Sequence, residues 1–376
     1  FGSSPPPAPN PPTGPRAPGG LWRRTGRMGS DAQAAPVLLG LIADIQYADQ
    51  EDGTDFSGHE RRHFRNALEV ARAAVDHWNE ANVEMVVQLG DVIDGINARA
   101  GASASALETV LEVLGKSRAK RRFDLIGNHE LYNIRRDDLA SSGLNCHGPG
   151  GATYYSVRVG AGWEAVFLDA YEHALIGVQD DHPSCLKAKE VMQANNPKVL
   201  SMVGGGDWFS GLPVEKHRYV PFNGGVSAEQ VAWLGQVLEA AEKEGRSVLV
   251  FSHVAVHEAA TKPKTLVWNS EEVLAVLHRH REAVVAVLSG HDHNGGYGVD
   301  EAGIHHVTMN AALTAEPGRD CFATLECRPD RTALFVAHGR ACVESGTNGR
   351  GRAYSELVLA RGAVNTPGGP ALKSWG

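Results

Sequence analysis

Residues 38–49, LLGLIADIQYAD, form an apolar run that ends in two polar side chains, Asp44 and Gln46. An extended chain projects residues i and i+2 from the same face, so the pair is predicted to lie side by side. Carboxylate and amide oxygens at such a place could bind a divalent cation. Asp is also a common turn residue, and the pair alone leaves a turn and a metal site as alternatives.

The same arrangement recurs at the ends of four further apolar runs. MVVQLGD, FDLIGNH, VLVFSH and VLSGHDH deliver Asp91, Asn128, His129, His253, His291 and His293. The carboxyl ends of parallel strands lie at one edge of a sheet, where ligands of α/β proteins bind. Each residue alone is explained by a turn or a structural histidine. Their coincidence at equivalent positions favours a cluster of metal ligands.

The elements that would position these residues follow from the hydrophobic pattern. Apolar runs alternate with helical periods from Val37 onwards, which predicts a mainly parallel sheet. The stretch YSVRVGAGWEAVF predicts a hairpin, so the sheet should be mixed. Residues 174–224 are irregular and are interpreted as a lid or binding element. Ser227 is predicted to begin a helix, with Gln230 completing a capping box.

Composition limits the classes of function. The 376 residues are 42% hydrophobic and 21% charged, and the net charge of -8 argues against an electrostatic nucleic-acid binder. No apolar run approaches the roughly 18 residues of a membrane span. Five cysteines without a CxxC pair predict reduced thiols. We therefore expect a cytoplasmic monomer that binds neither nucleic acid nor membrane.

The ends of the chain differ from its centre. The first thirty residues are rich in Pro and Gly and contain four arginines but no Asp or Glu. Such a segment buries too little apolar surface to fold, so residues 1–34 are predicted to be disordered. The lack of acidic residues leaves organelle import as an alternative to a cytoplasmic location. Residues 35–364 are predicted to form a single domain, followed by a flexible tail over 365–376.

Taken in order, the motifs resemble those of the calcineurin-like metallophosphoesterase superfamily. The blocks are Asp44-x-Gln46, Gly90-Asp91, Gly127-Asn128-His129-Glu130, His253 and Gly290-His291-x-His293. The first block of that superfamily usually reads Asp-x-His, and here Gln46 replaces the histidine. This departure, together with ADIQYAD, GNHELYN, FNGG and GHDHNGGY, is similar to the manganese-dependent ADP-ribose/CDP-alcohol diphosphatase subgroup.

The resemblance implies an α/β fold, a four-layer αββα sandwich with two mixed β-sheets. It also implies two divalent metal ions, with Mn²⁺ preferred over Mg²⁺ and with Zn²⁺ or Fe as other occupants. One ion would be held by Asp44, Gln46, Asp91 and His293. Asp91 would bridge to the second, which Asn128, His253 and His291 complete.

The same resemblance implies a reaction. A metal-bridging hydroxide would attack the diphosphate linkage of ADP-ribose or of CDP-alcohols such as CDP-choline, releasing AMP or CMP and a phosphorylated product. His129 would stabilise developing charge or protonate the leaving group. Alternatives are a phosphomonoesterase or cyclic-nucleotide phosphodiesterase on the same site, and a non-catalytic binding module.

Three further expectations concern neighbouring residues. The carbonyl oxygen of Gln46 is a harder ligand than imidazole and should favour Mn²⁺ or Mg²⁺ over Zn²⁺. Glu130 is interpreted as a helix starter or as a residue that supports the ligands. The segment Phe222, Asn223 and Gly224 is predicted to form a substrate wall, because glycine permits close backbone approach.

Overall fold

A computed structural model describes residues 35–55, 58–160, 162–202, 206–347 and 350–367. The segment predicted to be disordered, residues 1–34, lies outside the described residues, as do residues 368–376 of the predicted tail. Asn365 is described and hydrogen bonds to the backbone of Val358 and the hydroxyl of Tyr297. The predicted domain boundaries stay a prediction.

The described residues form fourteen strands and eight α-helices. The strands are β1 (Val37–Ile42), β2 (Gly53–Thr54), β3 (Arg61–Arg62), β4 (Met85–Gln88), β5 (Arg121–Asp124), β6 (Tyr155–Gly160), β7 (Trp163–Phe167), β8 (Ser247–Phe251), β9 (Val284–Ser289), β10 (Gly296–Val299), β11 (His305–Thr308), β12 (Cys321–Cys327), β13 (Ala333–Gly339) and β14 (Glu356–Leu359). The helices are α1 (Asn66–Ala81), α2 (Ile96–Ala100), α3 (Ser103–Leu114), α4 (Asn128–Asn133), α5 (Pro183–Asn195), α6 (Lys198–Ser201), α7 (Ala228–Lys243) and α8 (Ser270–Arg279). Short 3₁₀ helices span Arg136–Ser141, Pro149–Gly151, Val214–Lys216, Glu258–Ala260, Pro263–Thr265 and Ala312–Thr314.

Twelve of these strands build two mixed sheets. The first has the order β14-β13-β12-β1-β4-β5, in which β1, β4 and β5 are parallel. The second has the order β10-β11-β9-β8-β7-β6, in which β7, β8, β9 and β11 are parallel. The predicted hairpin is the antiparallel pair β6–β7 at the edge of the second sheet. The expectation of two mixed sheets is confirmed.

The two sheets pack face to face, and helices cover their outer faces. Strand residues alternate between these environments, as a period of two requires. In β8, Leu249 and Phe251 join a buried cluster that also contains Leu41 of β1, whereas Val248 and Val250 join the cluster that contains the helices. Helix α1 packs on β1 and β12, and α7 packs on β8. The predicted αββα layering is therefore present.

The motif-bearing strands divide between the two sheets. Strands β1, β4 and β5 belong to the first, and β8 and β9 belong to the second. Simple alternation of strands and helices predicts that all the candidate ligands lie at the edge of one sheet. In the structure they lie at the edges of two sheets, which meet across the sandwich. Candidate ligands can therefore approach one another from both sides of the interface.

Three further expectations can be compared with the structure. The irregular segment 174–224 contains a thirteen-residue helix, α5, which the sequence interpretation missed. All five cysteines are buried and carry free thiols. No helix among the described residues has the length and apolar character needed to cross a membrane.

Candidate metal centre

Two groups of candidate ligands share one carboxylate. Side-chain ligand atoms of Asp44, Asp91 and His293 lie within 4.8 Å of one another, and so do those of Asp91, His253 and His291. Asp91 belongs to both groups, and it is 1% exposed. A carboxylate has two oxygens and can therefore contact two cations at once.

The two predicted amide ligands lie against these groups. Gln46 Nε2 is 3.1 Å from Asp91 Oδ2 and 2.8 Å from His293 Nε2. Asn128 Oδ1 is 3.3 Å from His253 Nε2 and 3.2 Å from the hydroxyl oxygen of Tyr171. All seven predicted ligands thus converge in space, and their assignment as ligands stays a prediction.

The backbone that presents them is unusual. Asp44, Gln46, Asp91 and His291 have φ values of 50°, 41°, 62° and 68°. Left-handed conformations are uncommon for residues with a Cβ and concentrate at functional sites. The sequence argument that Asp44 and Gln46 share one face of an extended chain is therefore wrong in its geometry. Both side chains lie near His293, and the chain is in the left-handed region at both positions.

Glycine precedes the candidate ligand in three of the motifs, and each glycine has a packing reason. A Cβ on Gly90 would lie 2.3 Å from His253 Nδ1, one on Gly127 would lie 2.2 Å from Asp91 Oδ1, and one on Gly290 would lie 2.5 Å from Asp44 Oδ2. In each case another candidate ligand fills the space that a side chain would take. The glycines therefore allow the loops from the two sheets to interlock.

Each candidate histidine has one ring nitrogen bonded to the protein. His253 Nδ1 lies 2.7 Å from the carbonyl oxygen of Leu89, which can only accept a hydrogen bond. This leaves Nε2 of His253 unprotonated in the neutral ring, facing Asp91 at 3.4 Å. Such a bond fixes the tautomer and orientation of a metal-binding histidine.

Asn223 fixes the tautomer and orientation of His291. Its Oδ1 lies 2.7 Å from His291 Nε2, while its Nδ2 donates to the carbonyls of Arg218 and Lys264. The two carbonyls set the amide orientation, so His291 Nε2 is the donor and Nδ1 is the free nitrogen. Asn223 is 0% exposed, and this orienting role for it was not foreseen from sequence.

The other residues predicted for the substrate wall lie close by. The Phe222 ring is 5.8 Å from the His291 ring, and its carbonyl accepts from Tyr171. Gly224 is buried and approaches the carbonyl of Ala170, where a Cβ would lie at 2.3 Å. Contact of Phe222, Asn223 or Gly224 with substrate stays a prediction.

The third histidine is oriented by a carboxylate that the motifs did not reveal. His293 Nδ1 lies 2.5 Å from Glu60 Oε1. Glu60 belongs to the loop before β3, in the sequence HERR, which carries no signal of a metal site. Only the structure places it at the centre.

His129 is positioned by the loop after Asp91. The backbone N–H of Gly95 donates to His129 Nδ1 over 2.7 Å, so the neutral ring carries its proton on Nε2. Burial lowers the pKa of His129, which favours this neutral form. The backbone N–H of His129 also donates to Asp91 Oδ1. His129 can thus offer one N–H to a bound oxygen.

Glu130 both begins a helix and supports a ligand. Its carboxylate accepts hydrogen bonds from the backbone amides of Gly127, Asp91 and Val92. The bond to Gly127 belongs to the first turn of α4, and the other two bonds hold the loop that follows β4. Glu130 is therefore both a helix starter and a residue that supports the ligands, as the sequence suggested.

The charges of the cluster favour cations. Burial raises the pKa of Asp44 to about 6. Burial opposes ionisation of Asp91 too, but the neighbouring His253, through its charge and a hydrogen bond, outweighs it and helps to hold the pKa of Asp91 below its usual range. In the described part of the chain, the ion-pair partners of Asp44 and Asp91 are histidines rather than Lys or Arg. Buried carboxylates need such compensation, and divalent cations can supply it.

Gln46 provides a direct test of the fit. Its side-chain oxygen is buried and has no hydrogen-bond partner, while its nitrogen faces Asp91 and His293. Rotation of the amide exchanges the two atoms and turns the carbonyl oxygen towards the cluster. An unsatisfied buried oxygen is costly, and coordination of a cation would satisfy it. The donor set of amide oxygens, carboxylates and imidazoles therefore fits divalent metal ions.

A groove of about 1230 Å³ opens beside this cluster and has His293 in its lining. Six basic side chains line it: Arg61, Lys262, Lys264, Arg319, Arg340 and Arg350. Asp55, Glu60, Glu316 and Asp320 also contribute to its walls. The groove concentrates positive charge locally on a protein with a net charge of -8. An anionic substrate can be attracted there despite the acidic surface.

Fold and site together define a calcineurin-like phosphoesterase. The sequence model of that family matches residues 38–295, and the chain belongs to this family.

Named relatives are similar over most of the chain. A Danio rerio protein named manganese-dependent ADP-ribose/CDP-alcohol diphosphatase is 36% identical over 324 residues, covering 82% of this chain and 97% of its own. Proteins of the same name from Bos taurus and Arabidopsis thaliana are 34% and 33% identical, covering 92% and 96% of their own length and 81% and 82% of this chain.

A solved structure has the same fold. The crystal structure of a dimetal phosphatase from Danio rerio superposes with a TM-score of 0.76 at 33% identity. The match covers 86% of this chain and 99% of that one.

Proposed function

We propose that this protein hydrolyses the diphosphate linkage of ADP-ribose and of CDP-alcohols with the help of two bound divalent cations, Mn²⁺ being preferred. The observation that carries the proposal is the convergence of seven oxygen and nitrogen donors from two sheets around the shared carboxylate of Asp91. The names of the relatives supply the substrates, and the Gln46 amide distinguishes the site from one built with a fourth histidine.

The ligands divide into two sets. Asp44, Gln46, Asp91 and His293 would hold one cation, and Asp91, Asn128, His253 and His291 would hold the other. When bound, two such cations supply charge stabilisation for a phosphoryl group and lower the pKa of a water molecule. Both effects act where the protein excludes bulk water, since Asp44, Gln46 and His253 are each 0% exposed.

His129 has a separate role. Its neutral ring presents Nε2–H and accepts a backbone hydrogen bond at Nδ1, so it can donate to an oxygen of the phosphoryl group or of the leaving phosphate. A donor held in place before the reaction stabilises developing charge without reorganisation. In the overall reaction one P–O bond of the linkage breaks and the oxygen of water forms a new bond to that phosphorus. The products are AMP or CMP and a phosphorylated fragment.

The basic groove would receive the rest of the substrate. A nucleotide diphosphate extends well beyond its reacting phosphate, and the groove is large enough for a small molecule of this class. We expect a small-molecule substrate and a monomeric protein; size-exclusion chromatography with light scattering would measure the oligomeric state.

A substrate panel tests the proposal. Purified protein would be assayed with ADP-ribose, CDP-choline, p-nitrophenyl phosphate and a cyclic nucleotide, each with Mn²⁺, with Mg²⁺ and with chelator. We expect hydrolysis of the first two to dominate, to be highest with Mn²⁺ and to disappear with chelator. Comparable turnover of p-nitrophenyl phosphate would favour a phosphomonoesterase, and no turnover of any diphosphate would favour a binding module.

A further inference from the structure

Glu60 contacts the candidate centre from outside every recognised motif. Its Oε1 lies 2.5 Å from His293 Nδ1, and its side chain is 22% exposed. His293 Nε2 lies on the opposite side of the ring, 3.6 Å from Asp44 Oδ1 and 2.8 Å from Gln46 Nε2. A carboxylate oxygen can only accept a hydrogen bond, so this contact places the ring proton on Nδ1 and leaves Nε2 directed towards the other ligands.

The three candidate histidines differ in the group that orients them. His253 bonds to a backbone carbonyl and His291 to a side-chain amide, both of which are neutral. His293 alone among these three bonds to a carboxylate. A carboxylate partner raises the basicity of an imidazole and strengthens its bond to a metal more than a neutral partner does.

The hairpin β2–β3 holds Glu60 in place. The Glu60 backbone N–H donates to Asp55 Oδ1 across the hairpin, and the Asp55 N–H donates to the Glu60 carbonyl. Arg62, two residues on, lies 3.6 Å from Glu60 Oε1 and donates to Asp94 Oδ2 over 3.2 Å. Asp94 in turn lies 3.5 Å from His129 Nδ1. Glu60 is therefore fixed by charged neighbours as well as by the backbone.

We propose that Glu60 is a positioning residue that sets the tautomer and orientation of His293 and thereby tunes the affinity of one of the two cation sites. The proposal deepens the function proposed above and rests on it. It also makes the two sites unequal, because the second site has no carboxylate behind its histidines in the described residues. Glu60 acts through His293 and need not touch substrate.

Metal binding tests this without reference to catalysis. Apo-protein would be titrated with Mn²⁺ and the free ion quantified by electron paramagnetic resonance, for the wild type and for Glu60→Gln and Glu60→Ala. We expect two bound Mn²⁺ in the wild type and a loss of about 10- to 100-fold in the affinity of one site in Glu60→Ala. Glu60→Gln keeps an acceptor oxygen and should lose less, while the other site stays within about threefold.

Glu51→Gln is the matched control. Glu51 lies in the same segment, its side chain is 91% exposed, and it pairs with Arg65 rather than with a candidate ligand. It should bind both ions as the wild type does. Thermal unfolding of the apo-proteins separates a folding defect from a local one. If Glu60→Ala proves unstable, the near-isosteric Glu60→Gln provides the test.

The outcomes distinguish the two proposals. Wild-type affinities at both sites in Glu60→Ala and Glu60→Gln would overturn the role of Glu60 and leave the proposed function standing. Equal weakening of both sites would also overturn it, since the contact reaches only His293. A wild-type protein that binds fewer than two Mn²⁺ would instead contradict the proposed function.

Discussion

Asp91 is the residue on which both ligand groups depend. Its Oδ1 accepts from the backbone of His129, and its Oδ2 faces Gln46 and His253. Replacing one oxygen with an amide nitrogen would remove an acceptor and a negative charge where two cations are expected to meet. Small changes in ligand chemistry here should therefore affect both ions.

We expect Asp91→Asn to lose at least one bound Mn²⁺ and to lower kcat/KM for ADP-ribose on the order of 10³-fold. Metal content and steady-state kinetics would measure both effects. Asp76→Asn is a control for the loss of one carboxylate, because Asp76 is exposed on α1. Full activity with two bound ions in Asp91→Asn would contradict the bridging role.

Gln46 is expected to set the choice of metal. Gln46→His should raise activity with Zn²⁺ relative to Mn²⁺, because imidazole is a softer ligand than an amide oxygen and suits Zn²⁺ better. Rates measured across Mn²⁺, Mg²⁺, Co²⁺ and Zn²⁺ would give the selectivity. An unchanged preference for Mn²⁺ would remove this account of Gln46.

At the scale of the elements, sequence pattern predicted the strands well and their relative placement poorly. The hairpin β6–β7 lies where the sequence pattern placed it, and α7 begins directly after Ser227 as predicted. Helix α5 was missed because its buried face is carried by small or flexible residues, Cys185, Ala188 and Met192 among them, so its apolar pattern is weak. Ser227 caps α7 as predicted, but the Gln230 side chain bonds to Asp169 and Glu172 instead of completing the capping box.

The candidate ligands were predicted from sequence because their residue types are distinctive, whereas their geometry was not. Left-handed backbone at Asp44, Gln46, Asp91 and His291 is set by tertiary contacts, not by the propensities of these residues. Glu60 and Asn223 could not be predicted as orienting residues. A carboxylate or amide that bonds to a distant histidine leaves no trace in local spacing.

The close packing of the motif glycines against candidate ligands leads to a prediction for the loop after β9. In Gly290→Ala the new Cβ would lie 2.5 Å from Asp44 Oδ2, so Asp44 or the loop after β9 must shift. We expect Mn²⁺ affinity and activity to fall more than tenfold and the free energy of unfolding of the apo-protein to fall by about 1–3 kcal/mol. Isothermal titration and urea denaturation would measure the two quantities.

Gly235→Ala is the control for this change. Gly235 lies in α7, where a Cβ would meet only Val276 at 3.7 Å, an ordinary contact. The substitution should stabilise the helix by about 0.5–1 kcal/mol and leave metal binding unchanged. Normal metal binding in Gly290→Ala would show that the loops are less tightly interlocked than the structure indicates.

At the scale of the whole molecule, a second polar cluster surrounds Asp300 and contains none of the candidate ligands. Asp300, 8% exposed, follows β10 and accepts hydrogen bonds from the backbone of Ala302 and Ile304 and from His278 and His306. His257 stacks on His306, and Glu301 lies near His278. Burial opposes ionisation of Asp300, but the hydrogen bond from His306 and the backbone bond from Ile304 outweigh it and lower its pKa.

The sign of the pH effect follows. A carboxylate with a lowered pKa in the folded state stabilises fully above the unfolded-state value of about 4, and the contribution is lost as the pH falls through the folded-state pKa. We expect Asp300→Asn to lower the free energy of unfolding by about 1–3 kcal/mol at pH 7. The difference from wild type should shrink below about pH 4, as measured by urea denaturation. Exposed Asp181→Asn should show no such trend, and a difference independent of pH would contradict the assignment.

The seven candidate donors come from both sheets. Asp44, Gln46, Asp91 and Asn128 follow strands of the first sheet, and His253, His291 and His293 follow strands of the second. Binding of the two cations should therefore depend on how the two sheets are aligned, because coordination tolerates displacements of only about half an ångström. A conservative exchange deep in the sandwich, at Leu41 or Leu249, could slide one layer over the other while the molecule still folds. Such a change would first be noticed as weakened ion binding, far from the altered residue.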